Sequence, residues 1–271
     1  MIIHHDNKQG DNVMEELKLI SWNVNGIRAA VRQGFPNWFL RESPSILCLQ
    51  EVKASPEVLD ATIRTPKDYV THWNYPARKG YSGVVTFSKY QPQKIHTSFG
   101  AEKLDLEGRV IISVYPKHTL FNIYFPNGKR NQARLQYKMD FYNNFLEYIE
   151  PLRKKGQKLI ICGDFNTAHK EIDIARPKEN SRFSGFLPME RAWIDKFVSL
   201  GYIDTFRYFN KEPNQYTWWD LKTGARQRNI GWRIDYFFVT ENLISSVTKA
   251  YIMPEVFGSD HCPIGIDLII D

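Results

Sequence analysis

Short apolar, β-rich runs that end on a polar residue constrain the fold of this chain more than any other feature. Leu17 to Trp22, Ile46 to Gln50, Tyr81 to Phe87, Arg109 to Val114, Thr119 to Phe125 and Lys158 to Cys162 read as strands. Ile234 to Val239, Val247 to Met253 and Pro263 to Ile269 do the same. Gly, Pro, Asn or Asp bounds several of them, residues that end strands for backbone reasons. Helical signal is sparser. Leu135, Met139, Tyr142, Leu146 and Ile149 are spaced 4, 3, 4 and 3, one face of an amphipathic helix from Asn131 to the Lys154-Lys155-Gly156 exit. A second helix is expected over Pro188 to Leu200, with shorter ones over Pro36 to Arg41 and Pro56 to Ile63. Many strands and few helices imply an α/β sandwich, two sheets face to face with helices outside. No repeat or linker divides the chain. Residues 17–271 therefore read as one domain and 1–16, with His4 and His5, as a loose extension.

With 271 residues the chain is long enough to bury a core without staples. At 42% hydrophobic and 24% charged residues it has the composition of a globular protein, not a disordered one. Lys and Arg outnumber Asp and Glu by 36 to 30, a surplus of +6 that suits a polyanionic partner. Cys48, Cys162 and Cys262 form an odd set in or beside apolar runs. They exclude a disulfide framework or a Cys-rich zinc site and read as buried thiols of a reducing compartment. The N-terminus has no apolar signal core and no stretch is long enough to span a bilayer, so an intracellular, monomeric protein is expected.

The polar residues at the strand ends carry the chemistry. Asn23 and Asn25 follow the first run, Glu51 the second, and Tyr124 and Asn127 come further on. Asp164 and Asn166 lie in Gly163-Asp-Phe-Asn, and Asp260 with His261 precede the last run. Taken singly, each has a plain reading: turn residues for the two asparagines, a surface charge for Glu51, an Asx turn for Asp164, a core histidine for His261. Together they converge as a rigidly held site would. Glu51, Asp164 and Asp260 are hard oxygen donors, joined by the amides of Asn23 and Asn166. With no cluster of His or Cys, that set suits Mg²⁺, with Mn²⁺ as substitute, rather than Zn²⁺.

At this point a family resemblance emerges. Ser-Trp-Asn-Val-Asn-Gly-Ile-Arg-Ala at 21–29, Leu-Gln-Glu-Val-Lys at 49–53 and Gly-Tyr-Ser-Gly-Val-Val at 80–85 resemble the exonuclease III family of apurinic/apyrimidinic endonucleases. So do Tyr-Phe-Pro-Asn-Gly at 124–128, Gly-Asp-Phe-Asn-Thr-Ala-His at 163–169, Gly-Trp-Arg-Ile-Asp-Tyr-Phe at 231–237 and Gly-Ser-Asp-His-Cys-Pro-Ile at 258–264. The stretch 163–195 and Gln215-Tyr-Thr-Trp-Trp-Asp220 are most similar to the archaeal branch that includes a DNA uridine endonuclease. The resemblance implies the four-layer α/β sandwich of the deoxyribonuclease-I-like superfamily, with two mixed, mostly antiparallel sheets.

It also implies roles. Glu51 is the principal metal ligand, with Asp260 and Asn23 in or near the shell. Asp164 orients or deprotonates the attacking water, Asn166 holds a phosphate oxygen and Tyr124 contacts the scissile phosphate or leaving group. His261 binds a non-bridging oxygen, with Asp235 on its other nitrogen. Trp218, Trp232 and Ile234 wall a pocket for a flipped abasic sugar, whereas Trp219 reads as core. Lys222 and Arg130 enter the duplex. Asn127, Lys129, Arg226 and Arg228 contact DNA, and Asn180 and Ser184 line it. In one departure, human-type members carry Asp where this chain has Asn25, which removes a carboxylate and disfavours a second tightly held metal. The implied substrate is double-stranded DNA with an abasic or damaged nucleotide, cut on its 5′ side to leave a 3′-hydroxyl. The same site is expected to act as a 3′→5′ exonuclease and 3′-phosphodiesterase. Three alternatives share parts of this pattern: a nuclease cutting beside dU, a phosphoinositide phosphatase or sphingomyelinase, and a catalytically dead DNA-binding module.

Overall fold

In the computed structural model the described residues are 15–270 other than 102, 103 and 105. The strands are β1 Glu15–Asn23, β2 Ile46–Gln50, β3 Val70–Asn74, β4 Val84–Ser88, β5 Lys94–His96, β6 Val110–Val114 and β7 Thr119–Tyr124. They continue as β8 Leu159–Asp164, β9 Tyr202–Asp204, β10 Trp218–Trp219, β11 Gly231–Trp232, β12 Asp235–Thr240, β13 Val247–Ile252 and β14 Ile264–Ile270. One six-stranded sheet has the order β13-β14-β1-β2-β4-β3 and the other β5-β6-β7-β8-β12-β9, with β10-β11 as a separate ribbon. β1 with β2 and β7 with β8 pair in parallel, whereas the other pairs of both sheets are antiparallel. These are the mixed, mostly antiparallel sheets expected.

Strand alternation sorts the side chains into layers. Leu19, Cys48, Leu120, Ile160, Phe237 and Ile266 pack between the sheets. On the outer face of one sheet Ile20, Trp22, Leu47 and Phe87 meet Phe35, Trp38 and Phe39 of the helix Phe35–Glu42. On the other, Phe121, Ile161 and Phe238 meet Phe141, Phe145 and Ile149 of the helix Gln132–Lys154, with Trp193 and Phe197 of the helix Pro188–Ser199. Helix, sheet, sheet, helix make four layers.

Every run read as a strand overlaps one, and the long helix starts after Asn131, whose side chain accepts from the Arg134 amide. The reading missed β3, β5, β9 and the β10-β11 ribbon, which are short or polar and owe their pairing to neighbours. The helix expected over Pro56 to Ile63 is instead a 3₁₀ turn, Pro56–Val58, and a separate helix, Ala61–Arg64, restarted by the Asp60 cap on Thr62. Of the extension expected over 1–16, Glu15 and Glu16 belong to β1, while the rest, His4 and His5 included, lies outside the described residues.

Candidate active site

Period-two alternation delivers the site. Tyr124 shares a strand face with Leu120, Asp164 with Ile160 and Cys162, and Asp235 with Phe237 and Val239, all turned between the sheets. Pairing then sets them side by side, Tyr124 opposite Asp164 and Asp164 opposite Asp235. Just below, the layer between the sheets turns polar. Gln50 Nε2 donates to Ser21 Oγ at 3.0 Å and Asn122 Oδ1 at 2.8 Å, and Asn122 Nδ2 donates to Val85 O at 2.9 Å. This buried network ties both sheets together under the site, with Gln50 Oε1 left buried and without a partner among the described residues.

Asp164 is the most constrained group. Its Oδ2 accepts from Asn23 Nδ2 at 2.8 Å and Asn166 Nδ2 at 3.1 Å, and its Oδ1 from the Asn166 amide at 2.7 Å. Burial and then the nearby Asp235 charge push its carboxyl up to about 7, despite the opposing pull of His261 and these donors. Asn127 Nδ2 in turn donates to Asn166 Oδ1 at 3.0 Å. His261 Nδ1 lies 2.8 Å from Asp235 Oδ2, and its Nε2 3.9 Å from Asp164 Oδ2. Burial alone would depress the imidazole, but the Asp235 carboxylate outweighs it and raises His261 to about 10. Thr217 Oγ1 donates to Asp235 Oδ2 at 2.5 Å and accepts from the Ile234 and Asp235 amides. Tyr124 keeps its proton, since burial and the Glu51 charge hold it well above the usual phenol range. The guanidinium of Arg109 sits 4.5 Å over the Tyr124 ring.

Beside this pair lies a second group of oxygens. Glu51 Oε2 accepts from Asn23 at 3.1 Å, and Lys53 Nζ lies 2.9 Å from Glu51 Oε1 and 2.5 Å from Asn25 Oδ1. Asn25 Nδ2 donates to Asp260 Oδ1 at 2.9 Å. Asp260 is held below its usual range, because His261, Trp218 and Asn25 outweigh burial. Asn25, Glu51 and Asn166 all have φ between 44° and 54°, backbone cost concentrated where function needs unusual directions. Among the described residues Asp164, Asp235 and His261 form the group of three acidic or imidazole ligands whose atoms fall within 4.8 Å of one another. Asp164 is already engaged on Asn23 and Asn166 and His261 Nδ1 on Asp235 Oδ2, whereas Asp235 Oδ1 is buried without a partner among the described residues. Glu51 and Asn25 instead already point oxygens at one positive charge, the Lys53 ammonium, so hard donors converge on a cation there. The residues present fit a divalent metal at Glu51.

The other expected residues lie around this centre. Trp218 and Trp232 meet edge to face across the ribbon, 5.9 Å apart, and cluster with Ile234, Phe186, Ile174 and Ala168. Lys129 Nζ lies 4.7 and 4.9 Å over the two indoles. Asn127, Lys129 and Arg130 line a cleft with Tyr124, Tyr81 and Arg78. Asn180 and Ser184 line the neighbouring one with Lys129 and Trp232, though Asn180 Nδ2 is engaged by the carbonyls of Ala175 and Arg176 and Ser184 Oγ by Glu190. Lys222 and Arg228 stand exposed on the 3₁₀ turns Leu221–Thr223 and Ala225–Arg228. Arg226 turns inward, onto the carbonyls of Pro254, Val256 and Ser259. Trp219, read as core, is buried.

Sequence reasoning passed over Lys53, Thr217, Phe186 and Ile174. It also missed a basic groove in which Arg28, Lys53, Arg78 and Lys79 line a cavity of about 280 Å³ with Tyr75 and Tyr81. Its signal was the Arg78-Lys79 pair next to Gly80-Tyr81.

Known proteins resemble this chain in sequence and fold. The family model described as Endonuclease/Exonuclease/phosphatase family matches residues 20–261. An exodeoxyribonuclease of Bacillus subtilis is 42% identical over 94% of this chain and 100% of its own. A DNA-(apurinic or apyrimidinic site) endonuclease of Dictyostelium discoideum is 38% identical over 96% of this chain and 73% of its own. The solved structure of an AP endonuclease from Archaeoglobus fulgidus superposes with a TM-score of 0.85 at 26% identity, covering 93% of this chain and 99% of that one. The chain therefore belongs to the endonuclease/exonuclease/phosphatase family, as an enzyme of its exonuclease III type.

Proposed function

We propose that this enzyme is a divalent-metal-dependent endonuclease that hydrolyses the phosphodiester 5′ to an abasic site in double-stranded DNA and leaves a 3′-hydroxyl. The observation that carries the reading is Asp164, a buried carboxyl held by three N–H donors, facing a raised-pKa imidazole, within one strand pairing of Tyr124. Asp164 is placed to take a proton from water as the water oxygen bonds to phosphorus and the P–O3′ bond breaks. His261, protonated and backed by Asp235, donates to a non-bridging oxygen as charge builds there. Asn166 and Tyr124 add neutral donors to the phosphate and to the departing O3′. Mg²⁺ or Mn²⁺, held by Glu51 with Asp260 and Asn23 nearby, would supply the positive charge that stabilises the transition state. Trp218, Trp232 and Ile234 offer an apolar wall to an extruded sugar, and extrusion costs least where the base is missing. Exposed Lys222 and Arg130 are placed to fill the vacated stack, with Lys129 and Arg228 near phosphates. The same site serves a 3′→5′ exonuclease and 3′-phosphodiesterase.

The test is a labelled duplex with one tetrahydrofuran abasic analogue, incubated with Mg²⁺ or EDTA and with wild type or Asp164→Asn. A single metal-dependent nick 5′ to the analogue, lost in the variant by about 10²- to 10⁴-fold, is expected. Absence of cleavage by folded wild type, with turnover of a phosphoinositide instead, would sink the reading.

A further inference from the structure

Arg226 is the one basic residue of its turn that does not face solvent. Its Nη2 donates to Pro254 O and Val256 O at 2.7 Å each, and its Nη1 to Ser259 O at 3.3 Å. The guanidinium carbon lies over two rings, 4.7 Å from the centre of Trp219 and 4.4 Å from that of Phe257. The turns it belongs to also carry Lys222, and the segment it grips runs into Asp260 and His261. Those two stretches already meet at their roots. Trp219 N donates to Asp260 O at 3.0 Å, and Cys262 N to Thr217 O at 2.8 Å. Beyond these pairings the chains diverge, into 220–230 on one side and 253–259 on the other, and Arg226 spans the gap.

We propose that Arg226 is a positioning residue that fastens the exposed 220–228 turns to the segment bearing Asp260 and His261. It sets the direction of those two side chains and does not meet a DNA phosphate. A flat fork with several donors, lying over two aromatic rings, suits this task as a lysine ammonium does not. The two rings cover the guanidinium, and three of its four Nη hydrogens already meet carbonyls, while the buried Nε has no partner among the described residues. A residue kept for phosphate would keep most of its charge toward solvent, as exposed Lys222 does and as Arg228 does with one Nη2 bond to Thr223 O. The inference rests on the proposed nuclease reading for its substrate but not for its metal-binding arm.

The two roles differ in what Arg226→Lys changes. Lysine retains the charge a phosphate needs but loses the fork and the stacking. Three quantities are to be measured for wild type, Arg226→Lys, Arg226→Gln and Phe257→Ala. They are the Mn²⁺ dissociation constant of the protein alone, the salt dependence of binding to a tetrahydrofuran duplex, and kcat with KM for its incision. Phe257 is 67% exposed, so its variant removes one of the two ring contacts of Arg226 with little cost to the core. The expected result is a several-fold weaker Mn²⁺ affinity and lower kcat in both arginine variants, and a smaller change in the same direction for Phe257→Ala. The slope of log K against log salt should stay at its wild-type value. A slope shallower by about 0.9 in Arg226→Gln and restored in Arg226→Lys marks a phosphate contact and overturns the proposal. Unchanged Mn²⁺ affinity and unchanged kcat overturn it as well. Wild type that binds Mn²⁺ yet does not incise the duplex refutes the substrate reading alone, and the Mn²⁺ comparison still decides the role of Arg226.

Discussion

The indole Nε1 of Trp218 donates to Oδ2 of Asp260 at 3.0 Å. A wall of the apolar pocket and a carboxylate of the oxygen-rich group are thus one hydrogen-bonded unit, formed by residues 42 positions apart in the chain. Under the proposed function, whatever seats against the indole also acts on a side chain placed near the metal.

Trp218→Phe keeps an aromatic wall and deletes the donor. A hydrogen bond to a charged acceptor contributes roughly 1.5–3 kcal/mol, so the half-saturating Mg²⁺ concentration for incision should rise by about tenfold or more. KM for abasic DNA should change little. Titrating incision against Mg²⁺ for both proteins checks this, and superimposable curves would disprove the coupling.

The buried pair Lys138 and Glu190 bridges the two long helices. Lys138 Nζ donates to Glu190 Oε1 at 2.6 Å, Asn166 O at 2.8 Å and Thr167 Oγ1 at 2.7 Å, and both side chains are fully buried. Glu190→Ala leaves the ammonium without its counter-charge, an expected loss of about 3–5 kcal/mol. Adding Lys138→Met should recover part of it, because the stranded charge goes too. Urea melts of the single and double variants decide: a double variant as unstable as the sum of the singles would remove the pairwise account.

His118 lies at the opposite end of the sandwich, in the turn between β6 and β7, stacked on Tyr115 at 4.8 Å. Neither ring nitrogen has a hydrogen-bond partner among the described residues, and burial, with Lys158 nearby, lowers its pKa to about 4. The unfolded chain takes up this proton near pH 6.5 and the folded one only near pH 4. Stability is therefore complete above pH 6.5 and falls as pH drops from 6.5 toward 4, by on the order of 3 kcal/mol for this group. His118→Phe retains the stacking and has no proton to bind, so its stability should fall less over the same range. Unfolding free energies at pH 7 and pH 4.5 measure the difference, and equal acid losses in both proteins would clear His118 of the effect.

Gly163 has φ 135°, and a Cβ there would lie 1.8 Å from the carbonyl oxygen of Ile123 on the parallel neighbour β7. Gly163→Ala must push β7 and β8 apart at the residue before Asp164. The expected outcome is a thermal midpoint lowered by many degrees and incision reduced beyond what the remaining folded fraction explains. A variant with wild-type kcat would show that Asp164 tolerates the shift.

The layers and the strand ends where polar residues gather were legible in the order of residues alone. Alternation is a local property, so Asp164, two residues beyond buried Cys162, had to share its face, and Tyr124 followed Leu120 in the same way. Short strands such as β5 and β9 escaped because three residues carry too little pattern, and their pairing partners decide their conformation. Only the tertiary structure decided who meets whom. Glu51 and Lys53 are near neighbours, yet the convergence of Lys53 on Asn25 depends on β1 and β2 lying in parallel. Asn122 reads as one more residue of an apolar run until the second sheet brings Gln50 to it. Arg226 differs from Arg228 by two positions, and nothing in the order of residues says that one turns inward while the other stays exposed. That choice is made by carbonyls and rings from a segment about thirty residues further on, at 254–259, and no local pattern encodes contacts over that separation.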